Sequence, residues 1–338
     1  MFWYLLRFSI KIYLMKIVVT GGLGFIGSNF IKYIINKKEV HSIINIDTTS
    51  KYYGAANVKN TDSFKDNIKY RFEDFWLEIL DNPMEIKRFK NILKENNITH
   101  IVHFAAESHV DNSISNPRRF IQSNILGTFN LLEIIRDFPE IRFHHISTDE
   151  VYGSLGEEGK FIEATAYAPN SPYSASKAAS DMLVRAYNHT FKTLITISNC
   201  SNNYGQNQHN EKFIPVVINS ILNNKKIPVY GNGKNIRDWI FVDDHCEAVW
   251  SILNNGKIGE TYNVGGNCEK TNLEIINDIC NVLNVNPQDH ISFVEDRKGH
   301  DFRYAIDNTK INKELNWYPM TSFKDGLKQT IDFYKNLL

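Results

Sequence analysis

Through roughly the first two-thirds of the chain, short apolar runs alternate with longer stretches whose apolar residues return every three or four positions. That alternation predicts parallel strands joined by helices, with the sheet covered on both faces. Strands are expected at Lys16–Thr20, Ser42–Ile46, Ile68–Phe72, His100–Phe104, Ile141–Ile146 and Leu194–Ser198. Helices are expected between them at Phe25–Ile35, Met84–Glu95, Arg118–Asp137 and Pro172–Asn188. In the third helix, Ile121, Ile125, Leu126, Phe129, Leu132, Ile134 and Ile135 keep the helical period. Thr48–Asp66 is polar and reads as a loop. Beyond Asn202 the alternation loosens. Strands at Ile227–Tyr230, Thr261–Val264 and Ile291–Val294 mix with helices at Glu211–Leu222, Asp243–Leu253, Asn272–Leu283 and Ser322–Leu338. The expected architecture is α/β, with a doubly wound parallel sheet over 15–200 and a smaller α/β lobe over 201–338.

Gly21, Gly24 and Gly27 follow the first strand and open a helix at Phe25 and Ile26. Glycine allows a tight turn and close backbone approach, and the helix N-terminus stabilises pyrophosphate charge, as in Rossmann-type dinucleotide sites. The second strand ends at Asp47, where a carboxylate can accept both ribose hydroxyls. No arginine directly follows Asp47, so NAD is favoured over NADP, with Lys51 the one residue that could alter this. Asp74 follows the third strand and could receive the adenine amino group or serve as a solvated loop acid. Phe104-Ala105-Ala106-Glu107-Ser108 closes the fourth strand, where the small alanines admit a cofactor and Ser108 faces a substrate.

The fifth strand runs into Thr148, Asp149 and Glu150, and Tyr173 and Lys177 follow one helical turn apart. A tyrosine is a poor base at neutral pH unless an ammonium beside it favours the phenolate. Adjacent carboxylates often form a solvated strand end or an N-cap. In a cleft they would push their pKa values apart, leaving one acid and one base. Tyr/Lys serves alcohol oxidation, so the extra pair points to a further elimination or isomerisation.

Bulk properties narrow the picture further. Lys+Arg and Asp+Glu both number 38, which disfavours nucleic-acid or membrane partners held by net charge. Cys200, Cys246, Cys268 and Cys280 show no metal or disulfide spacing, so free thiols in a cytoplasmic protein without metal are expected. Met1–Leu14 is apolar but interrupted by Arg7 and Lys11, and reads as a dispensable extension.

From Met15 onward the chain resembles the extended short-chain dehydrogenase/reductase superfamily and, within it, the dTDP-glucose 4,6-dehydratase family. The resemblance rests on Ala105-Ala106-Glu107-Ser108-His109-Val110-Asp111, Ser147-Thr148-Asp149-Glu150-Val151-Tyr152-Gly153 and Asn199-Cys200-Ser201-Asn202-Asn203-Tyr204-Gly205. Ile236-Arg237-Asp238-Trp239 and Gly299-His300-Asp301-Phe302-Arg303-Tyr304 extend it into the second lobe. The chain departs from the family at Glu73-Asp74-Phe75-Trp76, which bears on the adenine contact, and at Gln206 and Lys298, where prolines are usual. Related 4-epimerases usually lack both acids, and UDP-glucuronate decarboxylases keep only the glutamate.

The resemblance implies dehydration of a nucleotide-activated glucose to the 4-keto-6-deoxy sugar, as in rhamnose-type deoxysugar synthesis, with NAD regenerated each turnover. Tyr173 would take the C4 hydroxyl proton beside the cofactor, with Thr148 on the new oxygen and Lys177 holding Tyr173 and the nicotinamide ribose. Glu150 would remove the C5 proton and Asp149 would protonate the departing C6 hydroxyl. Thr48, Phe75, Ser123 and Asn203 would join the cofactor contacts, while Asn202, Lys212, Phe213, Pro228, Tyr230, Arg237, Asn272, His300 and Tyr304 would hold the substrate. Arg237 could instead pair at the surface with Asp238. A homodimer through helices 118–137 and 172–188 is implied too. UDP-glucose 4,6-dehydratases and UDP-sugar 4-epimerases share nearly every feature. A catalytically silent NAD sensor would have little reason to keep Thr148, Asp149, Glu150, Tyr173 and Lys177 together. The base, dTDP or UDP, stays open at this level.

Overall fold

The structure, a computed structural model, describes residues 14–50, 55–77, 82–296 and 299–337. Apart from Leu14, the N-terminal extension lies outside these, as do Lys51 and Lys298. In chain order the strands are β1 (Met15–Thr20), β2 (Val40–Asp47), β3 (Tyr70–Asp74), β4 (His100–His103), β5 (Arg142–Thr148), β6 (Leu194–Cys200), β7 (Asn202–Tyr204), β8 (Ile227–Tyr230), β9 (Ile236–Phe241), β10 (Thr261–Val264), β11 (Glu269–Thr271) and β12 (Ile291–Val294). The helices are α1 (Phe25–Ile34), α2 (Pro83–Glu95), α3 (Val110–Ser115), α4 (Pro117–Phe120), α5 (Gly127–Ile135), α6 (Pro172–Phe191), α7 (Phe213–Leu222), α8 (Val242–Asn255), α9 (Asn272–Leu283), α10 (Thr309–Leu315) and α11 (Phe323–Lys335).

Seven strands form a parallel sheet in the order β3-β2-β1-β4-β5-β6-β10. Alternate residues of β1 point to opposite faces, so Ile17 and Val19 pack with Phe30, Ile34 and Val249 of α1 and α8. Val18 packs with Phe89, Leu132 and Val184 of α2, α5 and α6. Both faces are buried, which explains the near-continuous apolar runs of the strands. Polar residues in the strands find partners in the core: the His103 ring bridges the hydroxyls of Thr20 (2.7 Å) and Thr128 (3.0 Å). The second lobe holds two small sheets, β11-β9-β7 and β12-β8, packed with α7, α9 and α11 around Tyr204, Ile218, Ile276 and Ile331.

Three expectations change. The strand expected at Ile68–Phe72 begins two residues later, because Asp47 pairs with Asp74 in the β2–β3 register and Ile68 is fully solvent-exposed. Thr261–Val264, expected in the smaller lobe, is the edge strand β10 of the main sheet, beside β6. The single helix expected at Arg118–Asp137 is broken, with a π-helical turn at Ile121–Leu126 between α4 and α5. Helical periodicity hid this break, because the spacing of apolar residues does not mark an inserted residue, and Ile121 and Leu126 of the turn are exposed rather than buried with Leu132 and Ile135. Asn124 in that turn explains its persistence. Its side chain binds the Glu107 backbone N–H (2.8 Å) and C=O (3.0 Å) and the Ser176 hydroxyl (2.8 Å).

Candidate active site

The carboxyl ends of β1, β2, β4, β5 and β6 open into a cleft of about 570 Å³. Its floor is the turn from β1 into α1. Gly21 adopts φ 72°, and a Cβ there would stand 2.6 Å from Ala105 N. A Cβ on Gly27 would lie 2.3 Å from Gly21 O, so this turn closes only with glycine. No side chain caps α1 at Gly24 and its first turn holds no acid, which leaves its leading N–H groups open to an anion. Asp47 stands opposite, with its carboxylate accepting from Leu23 N and Thr48 N at 2.8 Å each. Burial pushes its pKa to about 6 despite those two donors. Phe25, Ile26, Thr48, Phe75, Phe104, Ala105, Ala106, Ser123 and Asn203 line the same cleft. Asp74 does not; it is exposed and accepts the Thr49 hydroxyl at 2.5 Å. Phe75 turns inward from that position, with the Arg88 guanidinium 4.0 Å from its ring centre. An uncapped helix start, a carboxylate at the β2 end and a cradle that admits no Cβ fit a dinucleotide such as NAD.

Thr148, Asp149, Glu150, Tyr173 and Lys177 also line this cleft. The Thr148 hydroxyl caps the turn after β5, accepting from Glu150 N at 3.3 Å, so both acids hang from one short 3₁₀ turn, Asp149–Tyr152. Their surroundings differ. Asp149 is 1 % exposed and, among the described residues, its Oδ2 has no hydrogen-bond partner, whereas Glu150 is partly exposed. Burial, then the Glu150 charge, raises the Asp149 carboxyl well above the usual carboxylate range. Asp149 thus holds its proton to higher pH than an ordinary carboxyl, beside a second carboxylate that is partly exposed.

Tyr173 and Lys177 share one face of α6, but the expected contact between them is corrected. Lys177 Nζ donates to Ile146 O at 2.8 Å and no hydrogen bond joins it to the phenol. Burial, then the Glu150 charge, raises the Tyr173 phenol, and the Thr148 hydroxyl acts in the opposite direction.

Of the residues expected on the substrate, Ser108, Asn202 and Lys212 line the cleft, and Lys212 Nζ reaches Ser108 O at 2.5 Å. The other seven sit in the adjoining lobe. Arg237 on β9 lies over the Tyr304 ring, 4.3 Å from its centre, and donates to the carbonyls of Ile236 (2.8 Å) and Asp301 (3.0 Å). Asp238 points the other way, buried and accepting from Cys268 N, so the surface pair between them is absent. Tyr230 packs edge-on against His300, whose Nδ1 contacts Asp296 at 2.6 Å. Asn272 opens α9, Pro228 faces solvent and Phe213 packs near Trp239 in the lobe's core. The Arg237–Tyr304 unit flanks the acids: Arg237 acts electrostatically on Asp149, and Glu150 on Tyr304. Residues that line the cleft without being anticipated include Arg119, paired with Glu107 at 2.6 Å. An Arg within a short helix carries no signal until the fold brings that pair together.

The sequence model of the family described as GDP-mannose 4,6 dehydratase matches residues 18–330. The dTDP-glucose 4,6-dehydratase of Haemophilus influenzae is 46% identical over 341 residues, covering 95% of this chain and 98% of the relative. The chain belongs to the dTDP-glucose 4,6-dehydratase family. Among solved structures, the dTDP-glucose 4,6-dehydratase of Bacillus anthracis in complex with NAD superposes with a TM-score of 0.86 at 42% identity, covering 95% of this chain and 97% of that one. A Bacillus cereus UDP-glucuronic acid 4-epimerase in complex with UDP-glucuronic acid and NAD gives 0.88 at 27% identity, covering 96% and 100%. Backbone similarity alone thus does not separate dehydratase from epimerase. The Gln206 departure from the family is accommodated by α1, whose Asn29 donates to the Gln206 carbonyl at 2.9 Å. Among the described residues, no helix is long and apolar enough to cross a membrane, and no cluster of His, Cys, Asp or Glu could hold a metal ion.

Proposed function

We infer that this protein dehydrates dTDP-glucose to the 4-keto-6-deoxy sugar and water. The observation that carries this reading is the split environment of Asp149 and Glu150 beside Tyr173. The turn Gly21–Gly27 and the start of α1 would hold the pyrophosphate of NAD, and Asp47 its ribose. When bound, NAD would supply a hydride acceptor at C4, a hydride donor at C6 and a positive charge beside Tyr173. The residues handle the protons. Tyr173 takes the C4 hydroxyl proton, and Thr148 donates to the oxygen as it becomes a ketone. The ketone acidifies C5–H, which Glu150 removes. Asp149 gives its proton to the C6 hydroxyl, which leaves as water, and Glu150 returns its proton to C5 as C6 is reduced. Arg237, held over the Tyr304 ring, suits a phosphate as a planar fork.

Residues 15–200 are read as the NAD-binding unit, completed by β10 and α8, and the rest of 201–338 as the sugar-nucleotide lobe. The apolar side chains of Ile121, Leu126, Phe129, Met182 and Phe191, 39–58% exposed on α5, α6 and the π turn, support a homodimer through those helices. A cytoplasmic location is read from the free cysteines, of which Cys200, Cys246 and Cys280 are buried. Incubation with dTDP-glucose and, separately, UDP-glucose tests the substrate. The 4-keto product should form faster from dTDP-glucose; exclusive turnover of the UDP sugar would overturn the choice of base.

A further inference from the structure

Lys177 is 4 % exposed, and an ammonium so far from water keeps its proton only where a carboxylate or hydrogen bonds stabilise it. Beyond Ile146 O, its Nζ lies 3.4 Å from His145 Nε2. That same Nε2 is 3.2 Å from Asp181 Oδ1, and both side chains are wholly buried. Asp181 Oδ2 accepts the hydroxyls of Ser147 and Tyr167 at 2.8 Å each. Oδ1 makes no hydrogen bond, and neither does His145 Nδ1. One oxygen of this carboxylate is thus fixed by two hydroxyls, and the other faces an imidazole that also faces the ammonium. A neutral imidazole cannot donate from Nε2 to Asp181 and accept there from Lys177 at once, so its tautomer depends on which neighbour carries the proton.

Other titratable groups border the cluster. His103 on β4 is kept neutral by burial, and Cys200 on β6 is pushed to about 12, again by burial. Arg185, one turn beyond Asp181 on α6, directs Nη2 to the Tyr167 hydroxyl (2.9 Å) and to Thr261 (3.2 Å). Tyr152 packs edge-on against Tyr167, and burial raises both phenols. Among the described residues whose charge bears on Lys177, Asp181 is the carboxylate.

We propose that Asp181, acting through His145, is a positioning residue that keeps Lys177 charged in the active site and so sets the pH range of the alcohol oxidation. The proposal rests on the reading of Tyr173 as the base. Without the carboxylate, the buried ammonium has no counter-charge and loses its proton at lower pH. A neutral Lys177 no longer favours the Tyr173 phenolate, so oxidation demands higher pH.

Asp181→Asn keeps the size and can still accept from Ser147 and Tyr167. Its single-turnover NADH formation and its steady-state rate on dTDP-glucose are measured across pH. The acid limb should move up by about one pH unit, a loss of about tenfold on that side, regained at higher pH, with KM and bound NAD unchanged. An unshifted profile, whether at normal rate or uniformly reduced, overturns the proposal. Should Asp181→Asn not fold, Tyr167→Phe removes one hydroxyl from Oδ2 and should move the same limb the same way by less; an unshifted limb there overturns it equally. Tyr173→Phe tests the underlying reading separately. If that variant still oxidises substrate, the base assignment fails. If it is inactive while Asp181→Asn has a normal profile, only the role of Asp181 falls.

Discussion

Asp149 and Glu150 are neighbours in sequence yet occupy opposite electrostatic situations, and the difference comes from burial rather than residue type. A carboxyl whose folded pKa is raised holds its proton above the ordinary range and acts as an acid until pH rises through the raised value. Turnover should therefore carry an alkaline limb from Asp149. Asp149→Asn should lower turnover by about 10²–10⁴-fold and abolish that limb in a pH–rate measurement. The same shift has a stability sign. Above the unfolded carboxyl value the unfolded state is ionised while the native state keeps its proton, so native Asp149 costs stability as pH rises. Asp149→Asn should accordingly raise the Tm at neutral pH, which thermal unfolding at two pH values can check. Gly27→Ala tests the other end of the cleft: its Cβ would meet Gly21 O at 2.3 Å, so bound NAD should be lost or weakened at least about tenfold on purification. These residues were legible because their types and strand-end positions carry the chemistry. His145 and Asp181 were not. The one reads as a buried strand residue and the other as a helix acid, and only folding brings them to Lys177.

At the scale of elements, regular periodicity predicted well and irregular geometry did not. Asn272–Leu283 is a helix over the expected residues, bounded by the Thr271–Glu274 capping box. β9 was missed, although Ile236 to Phe241 holds Arg237, because its alternation is broken by two adjacent charges. The π turn was missed because an inserted residue leaves no mark on the apolar spacing of the sequence. That turn presents Ile121 and Leu126 outward, while α6 presents Met182 and Phe191. If this apolar strip is the dimer interface, Met182→Lys combined with Phe129→Lys should convert the dimer to monomer in sedimentation velocity without loss of fold. A wild-type monomer at micromolar concentration would remove the premise.

Across the whole molecule, histidines of the parallel sheet and of α8 are held largely out of water. Burial holds His144 and His245 down at about 3 and His100 at about 4. Each of these takes up a proton in the unfolded chain below the ordinary value of 6.5 but stays neutral when folded. Between 6.5 and the lowered values the unfolded state binds more protons, so stability falls as pH falls. The loss is about 1.4 kcal/mol per pH unit per histidine within that window. Urea midpoints should decline steeply from pH 6.5 downward, and a midpoint independent of pH there would contradict the burial. A parallel sheet covered on both faces was expected from sequence, but β10 shows why the boundary of the smaller lobe was hard to see. A strand joins a sheet through hydrogen bonds, which leave no mark on its own composition, and four apolar-rich residues fit either lobe.

The central claim is that oxidation and dehydration are separate acts by separate residues in one cleft. Glu150→Gln tests this most directly, because it removes the C5 base and leaves Tyr173, Thr148 and Lys177 in place. Under single turnover with dTDP-glucose, NADH absorbance should appear and persist while the 4-keto-6-deoxy product falls by about 10²–10⁴-fold. Near-normal formation of that product would contradict the account.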